Sequence, residues 1–507
     1  MGSESIDKLT ETVELIKRHG ALHLANIKYG YFVLGISLLY IGFRYFTLWY
    51  YHKLWSETGR STTNLRLVNM PWQLGISLLV LVVSILILVE PHYDHIATHI
   101  RRMGRISYAL VPLDLFLAAR PAWIPMDNYL NTIKLHKWVS RLIVILAIVH
   151  GVGFLFWYNA QGTPEKIIKV SNIYGIVVLI TSCIIFCFWK PARNFNYSLF
   201  YVIHNIFLLS FVILIALHSK PGVSPIFFIN IILLFVQIVK KYGSAKDVTF
   251  TEIIEHPNSQ FKIVKFPKKL LPENYLPGCH IRVGYGIWHP FFLLLPSHPY
   301  TVATTYEDRD MMSSLIIKET RYQIIPFETY SIQLDFKSSL PQQFFETAEN
   351  VTIVCGGSGI SFGMGIFEFF KMQINRNGKD IKIKFIWITK SENDLYILNH
   401  FNIKGAEVFI TNSDSFDNIQ NLDNTDVELD TLTDPFADPG KGRTSVNNAV
   451  AVGFRPNLEE LITPHLNETI DYSNKWIISC GPESLNKDCQ KLALKTKCRF
   501  FSENYTF

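Results

Sequence analysis

Six stretches of the chain are apolar almost without a break: residues 29–50, 70–90, 136–157, 168–189, 197–218 and 222–240. Each is close to the roughly 20 residues of helix that cross a bilayer core about 30 Å thick, so the pattern predicts six membrane-spanning helices. A seventh stretch, 103–119 (MGRISYALVPLDLFLAA), is shorter and carries Pro112 and Asp114, and hydropathy alone does not decide whether it spans. After Lys240 and Lys241 the character changes. Alternating runs such as VTFTEIIE and FKIVKF predict short strands to about residue 345. Beyond that, apolar strands (VTIVC, IKIKFIWIT, KWIISC) alternate with amphipathic helical stretches.

The predicted architecture is a multi-pass α-helical membrane domain, then a β-barrel, then an α/β nucleotide-binding domain. The expected boundaries are a polar segment at 1–28, N-terminal membrane helices at 29–100, a helical core at 101–240, a barrel at 245–345 and an α/β domain at 349–507. Between 411 and 440 stand eight Asp or Glu and no Lys or Arg, so residues near 411–445 read as a disordered acidic insertion without chemistry.

Composition agrees with a membrane chain, since 49% of residues are hydrophobic and 18% charged. The net charge of +6 is scattered at the ends of apolar runs, which suits lipid anchoring and not nucleic acid. Seven cysteines without CxxC spacing predict neither a disulfide framework nor a zinc site. The polar N-terminal sequence lacks the basic-then-apolar pattern of a cleaved signal peptide. Because the soluble module should use cytosolic nucleotide, the C-terminus is placed in the cytosol. With 103–119 counted as a seventh span, the N-terminus lies outside. Most basic residues between the spans fall on the inner side, but Arg101, Arg102 and Arg105 do not.

Four histidines sharpen the picture. His136 and His150 lie on one span and His204 and His218 on another, each pair fourteen residues apart. Fourteen residues of helix rise about 21 Å and return to within about 40° of the starting direction. Each pair therefore shares a helix face. One intervening span makes the two helices parallel, which matches His136 with His204 and His150 with His218. Each level can hold one haem iron between two imidazoles, an arrangement that favours electron transfer over oxygen binding at iron. A lone histidine at a helix end is commonly interfacial, and proton relays or copper sites also use histidine, but neither needs the same step twice.

In the soluble part, His298, Pro299, Tyr300 and Thr301 offer a hydroxyl and an aromatic ring for a flavin, although an ordinary strand and turn reads alike. Lys318 is a candidate for the flavin pyrophosphate and equally a surface lysine. VTIVCGGSGISF places Gly356, Gly357 and Gly359 between a strand and a helix, where backbone amides can approach a pyrophosphate. A second strand end, Cys480, Gly481 and Pro482, can complete one crevice with it. Lys390 and Arg455 are candidates for a 2′-phosphate, against plain surface charge. Phe507 is a candidate for stacking on the flavin, against a frayed end. Arg141 could offset a haem propionate or snorkel to the interface. His92, His95 and His99 in EPHYDHIATH could gather a metal ion or be interfacial. No residue is assigned as a catalytic acid, base or nucleophile.

The histidine ladder, HPYT, GGSG, CGP and a terminal aromatic occur here in the order seen in the fungal ferric reductase and NADPH oxidase superfamily, which the chain resembles over essentially its full length. The closest likeness is to its yeast NADPH-oxidase-like metalloreductases. The resemblance implies a ferredoxin-reductase-like FAD barrel, an NADPH-binding α/β domain, and two b-type haems on a six-helix core at the four histidines, with the first span an addition. It further implies electron transfer from cytosolic NADPH through FAD and haem to ferric or cupric ions, or to oxygen as a superoxide-generating oxidase. Plasma membrane and endoplasmic reticulum fit equally, and the oligomeric state is open. Tyr300 stands where many relatives have phenylalanine.

Overall fold

The structure, a computed structural model, describes residues 27–47, 49–50, 72–89, 96–120, 123, 129–219, 222–306, 310–318, 322–336, 338, 340–411, 444–445, 448–453, 455–468 and 474–503. His92, His95, Phe507 and residues 412–443 of the acidic stretch lie outside the described residues. The chain divides into two compact units, residues 1–243 with 293–296, and residues 244–292 with 297–507.

The first unit is helical: α1 (Ile27–Thr47), α2 (Trp72–Leu88), α3 (Ile96–Ala109), α4 (Val111–Ala118), α5 (Tyr129–Ala160), α6 (Val170–Phe195), α7 (Tyr197–His218) and α8 (Ser224–Ser244). Among the described residues five of these, α1, α5, α6, α7 and α8, are long and apolar enough to cross a membrane. Their outward faces are apolar, with Phe156, Ile206, Phe228 and Phe235 each more than half exposed, as lipid contact requires.

The ambiguous stretch becomes α3 and α4, nearly continuous because Leu110 donates to Ile106 O and accepts from Asp114 N. Every residue from Ile106 to Leu113 is buried. Neighbouring helices shield this segment from lipid, so it needs no apolar outer face and its hydropathy is uninformative. Hydroxyl and amide groups tie it in place. Ser107 donates to Ile143 O at 2.8 Å, Tyr108 to Val212 O at 2.9 Å, and Gln237 to Leu115 O at 2.7 Å.

Arg102 explains part of the misplaced positive charge. Its guanidinium donates to the carbonyls of Leu86, Ile87 and Val89 at the end of α2 and lies 4.0 Å over the Tyr29 ring. It is an internal C-cap, satisfying carbonyls that lack an intrahelical donor, and not a loop charge of the kind that sets orientation. His99 also turns its Nδ1 to Ile87 O at 3.2 Å.

The second unit opens with the barrel strands β1 (Ala245–Thr249), β2 (Glu252–Glu255), β3 (Phe261–Pro267), β4 (His280–Tyr285), β5 (His298–Thr301), β6 (Met312–Lys318) and β7 (Thr329–Phe336). They form a sheet in the order β1-β7-β4-β5 and another in the order β2-β3-β6, closed around Phe250, Phe266, Ile281, Val283, Leu315 and Ile332. The α/β part carries β8 (Asn350–Gly356), β9 (Lys382–Thr389), β10 (Ala406–Ile410), β11 (Thr444–Ser445), β12 (Asn448–Val452), β13 (Lys475–Cys480) and β14 (Arg499–Glu503). Their order is β11-β12-β10-β9-β8-β13-β14, parallel except for β11. The chain builds outward from β8 in one direction and then the other, so β8 and β13 flank the switch point where open α/β sheets bind ligands.

Candidate functional site

His136 and His150 on α5 meet His204 and His218 on α7. Ring centroids are 6.3 Å apart for His136 and His204 and 6.1 Å for His150 and His218. An imidazole nitrogen lies about 2 Å from a metal it ligates, so two rings on opposite sides of one ion have centres about 6 Å apart. Both pairs fit that spacing. Among the described residues no cluster of three or more His, Cys, Asp or Glu could hold an ion. Each level offers two axial nitrogens, which suits a planar macrocycle that brings its own equatorial donors.

The His150/His218 level is built from two matching notches. His150 Nδ1 donates to Ile100 O at 2.8 Å, and a Cβ on Gly104 would come within 2.7 Å of the same ring. His218 Nδ1 donates to Ser171 O at 2.7 Å, and a Cβ on Gly175 would come within 2.8 Å of that ring. In a helix the Cβ leans toward the N-terminus, so the side chain at i+4 covers the carbonyl of residue i. Glycine at i+4 opens that carbonyl to the imidazole. With Nδ1 engaged as donor, Nε2 is the nitrogen left to ligate. A cavity here is lined by both rings, both glycines, Arg101 and Arg105.

The His136/His204 level is built differently. His136 Nδ1 faces the backbone carbonyl of Asp114 at 3.3 Å, and Asp114 Oδ1 lies 2.9 Å from the same nitrogen. Ser140 Oγ donates to Asp114 Oδ2 at 2.7 Å, and His204 stacks on Phe200 with centroids 5.8 Å apart. Arg141 lies over the rings of Trp138 and Trp189 at 4.6 and 4.9 Å. Asp114 and the two glycines escaped sequence reasoning. Glycine inside an apolar span, in IRRMG and SNIYG, was the available signal.

In the barrel, HPYT forms β5 and pairs antiparallel with β4. Thr301 is buried, and Tyr300 packs against the barrel core, its phenol pushed up by burial. His298 stacks on Tyr322 at 4.0 Å, a partner the sequence did not suggest. Buried Arg282 donates to the hydroxyl and carbonyl of Ser297, fixing the chain immediately before HPYT. Lys318 ends β6, exposed.

In the α/β part, Cys355 of β8 pairs in register with Cys480 of β13, which brings the two glycine turns together. A Cβ on Gly359 would overlap the Cys480 carbonyl, and one on Gly356 would reach Pro482 Cδ at 2.9 Å. Gly357 has φ +55°, a backbone state that glycine adopts without strain. The helix Ile360–Asn377 begins directly after this turn, aiming its N-terminus at the crevice. The Cys480 side chain is buried, so this strand end presents backbone and not thiol. Lys390 follows β9 and is exposed; Arg455 is exposed and lies 3.5 Å from Asp488. All seven cysteines are free.

Residues 103–215 match the ferric reductase like transmembrane component, and residues 348–494 match the ferric reductase NAD binding domain. The chain is 34% identical to a probable metalloreductase AIM14 of Scheffersomyces stipitis, covering 99% of each chain. It is also 34% identical to the protein of that name from Zygosaccharomyces rouxii, over 97% of this chain and 99% of the other. A solved ferredoxin NADP+ reductase of Neisseria gonorrhoeae, with bound FAD and NADP, is 12% identical, with a TM-score of 0.36 over 52% of this chain and 99% of the other. The ferredoxin-NADP+ reductase of Plasmodium falciparum is 14% identical, with a TM-score of 0.33 over 52% of this chain and 96% of its own. The chain is a membrane-embedded NAD(P)H-dependent oxidoreductase.

Two predictions follow from the soluble part. Gly359→Ala cannot be accommodated without moving backbone, and NADPH binding weakens about tenfold or more; an unchanged Kd by fluorescence titration contradicts this. Burial lowers His280 to about 3 and His298 to about 4, and lowers His400 and His465 as well. Unfolded histidines titrate near about 6.5, so between about 6.5 and 4 the unfolded chain binds more protons and stability falls as pH falls. Thermal unfolding of the full chain should show a lower Tm at pH 5 than at pH 7. His280→Gln should flatten that slope, and an unchanged slope contradicts the assignment.

Proposed function

We infer the function from one premise: the chain belongs to the yeast family of probable metalloreductases. It takes electrons from cytosolic NADPH and delivers them across the membrane to ferric or cupric ions. The observation that carries this reading is the pair of imidazole pairs at 6.3 and 6.1 Å on α5 and α7. When bound, FAD would take one hydride and pass on its two electrons singly, and the two haems would carry them through the hydrocarbon.

The residues divide the work. His136 with His204, and His150 with His218, hold the haems within a domain spanning about 101–240. The Nδ1 acceptors of His136, His150 and His218 fix the orientation of those rings and would leave Nε2 free to ligate. His298, Pro299, Tyr300, Thr301 and Lys318 hold FAD on the barrel of 245–345, with Arg282 and Tyr322 positioning the strand. Gly356, Gly357 and Gly359, facing Cys480, Gly481 and Pro482, admit the NADPH pyrophosphate in the domain of 349–507. Lys390 and Arg455 serve its 2′-phosphate, and Phe507 the flavin face. The His150/His218 level is the outward one.

The purified full chain, given NADPH alone without oxygen, should show reduced haem bands. His218→Leu should abolish the spectrum of one haem and stop reduction of a ferric chelate. Ferric reduction should persist with superoxide dismutase present. Loss of the ferric signal on adding the dismutase would instead identify a superoxide-generating oxidase, and no haem reduction by NADPH would sink the electron-transfer reading.

A further inference from the structure

The two imidazole levels differ in what stands behind the ring nitrogens. At the His150/His218 level both Nδ1 atoms face neutral backbone carbonyls, those of Ile100 and Ser171. At the His136/His204 level a carboxylate oxygen, Asp114 Oδ1, sits 2.9 Å from His136 Nδ1. At the His150/His218 level the charged side chains lining the cavity beside the rings are Arg101 and Arg105.

An anion in a membrane-spanning bundle is costly unless its surroundings hold it. Asp114 is largely enclosed, at 13% side-chain exposure, and is held by Ser140, whose hydroxyl donates to Oδ2 at 2.7 Å and lies 3.5 Å from His136 Nδ1. Ser140 stands one turn beyond His136 on α5, so the ligand and the group restraining its carboxylate share one helix face. Carboxylate, serine and histidine form one unit.

A carboxylate behind a ligating imidazole makes the ligand more basic and favours the more positive oxidation state of the metal. Ferric haem carries one more positive charge than ferrous haem, so a nearby anion lowers the reduction potential of its level. We propose that Asp114 makes the His136/His204 level the lower-potential of the two, giving each electron a downhill step towards the His150/His218 level. The step oxidises one iron from ferrous to ferric and reduces the other from ferric to ferrous, with no bond made or broken and no proton moved. Asp114 touches neither substrate nor iron and acts through His136 as a positioning and tuning residue. The proposal rests on the haem-ligation reading above.

Equilibrium redox titration of the full, haem-loaded chain in nanodiscs, followed by haem absorbance, tests it. Asp114→Asn should raise the lower of two midpoint potentials and leave the upper unmoved. Ser140→Ala releases the carboxylate from its hydroxyl donor and should shift the lower potential further down. The opposite signs separate tuning from general disturbance, and Ser140→Ala decides if Asp114→Asn fails to assemble. Two haems whose lower potential moves with neither variant overturn the role of Asp114 alone. An unsubstituted chain that holds no haem overturns the ligation reading, and this proposal with it.

Discussion

The distance between two imidazoles, about 6 Å across each level, is the constraint around which the membrane unit is arranged. Four rings stand at that spacing on α5 and α7, and neighbours hold three of them, His136, His150 and His218, from behind. At one level the neighbours are bare carbonyls on α3 and α6, opened by Gly104 and Gly175. At the other it is the end of α4, through Asp114. The segment α3–α4 thus braces one histidine at each level, which accounts for the burial of residues 106–113 and for the polar bonds that tie it to α5, α7 and α8.

The soluble unit meets a different constraint, the close approach of one strand end to another. Parallel pairing of β8 and β13 sets Gly356 and Gly359 against Cys480 and Gly481, where any side chain would collide. Barrel and α/β part share one apolar core, in which Phe261, Ile263 and Ile316 of the barrel pack with Phe344, Phe362 and Phe370. Ser259 donates to Asp394 at 2.7 Å and Tyr396 to Phe261 O at 2.7 Å across the same seam. HPYT and the two glycine turns therefore belong to one compact unit.

Five of the six predicted spans and the histidine step were legible because helix length and a repeated fourteen-residue spacing are one-dimensional properties, while 70–90 forms a shorter apolar helix, α2, of 17 residues. HPYT, GGSG and CGP were legible as elements, and their placement at a strand and two adjoining strand ends agrees with that reading. What was not legible depends on neighbours distant in sequence. Asp114 read as a blemish in a short apolar run, because its partner His136 lies 22 residues on. Arg102 read as a loop charge on the wrong side, because its acceptors belong to α2. Tyr322 gave no signal, since stacking on His298 arises only when the barrel closes. Hydropathy failed at 103–119 for the same reason: it reports contact with lipid, and the centre of this segment, residues 106–113, is buried among other helices.

The most direct measurement of the central claim is the ratio of haem to polypeptide in the purified full chain, by pyridine haemochrome absorbance against quantitative amino-acid analysis. Two imidazole pairs require two haems per chain in a six-coordinate, low-spin state. A ratio of one, a five-coordinate spectrum, or no haem would contradict the account.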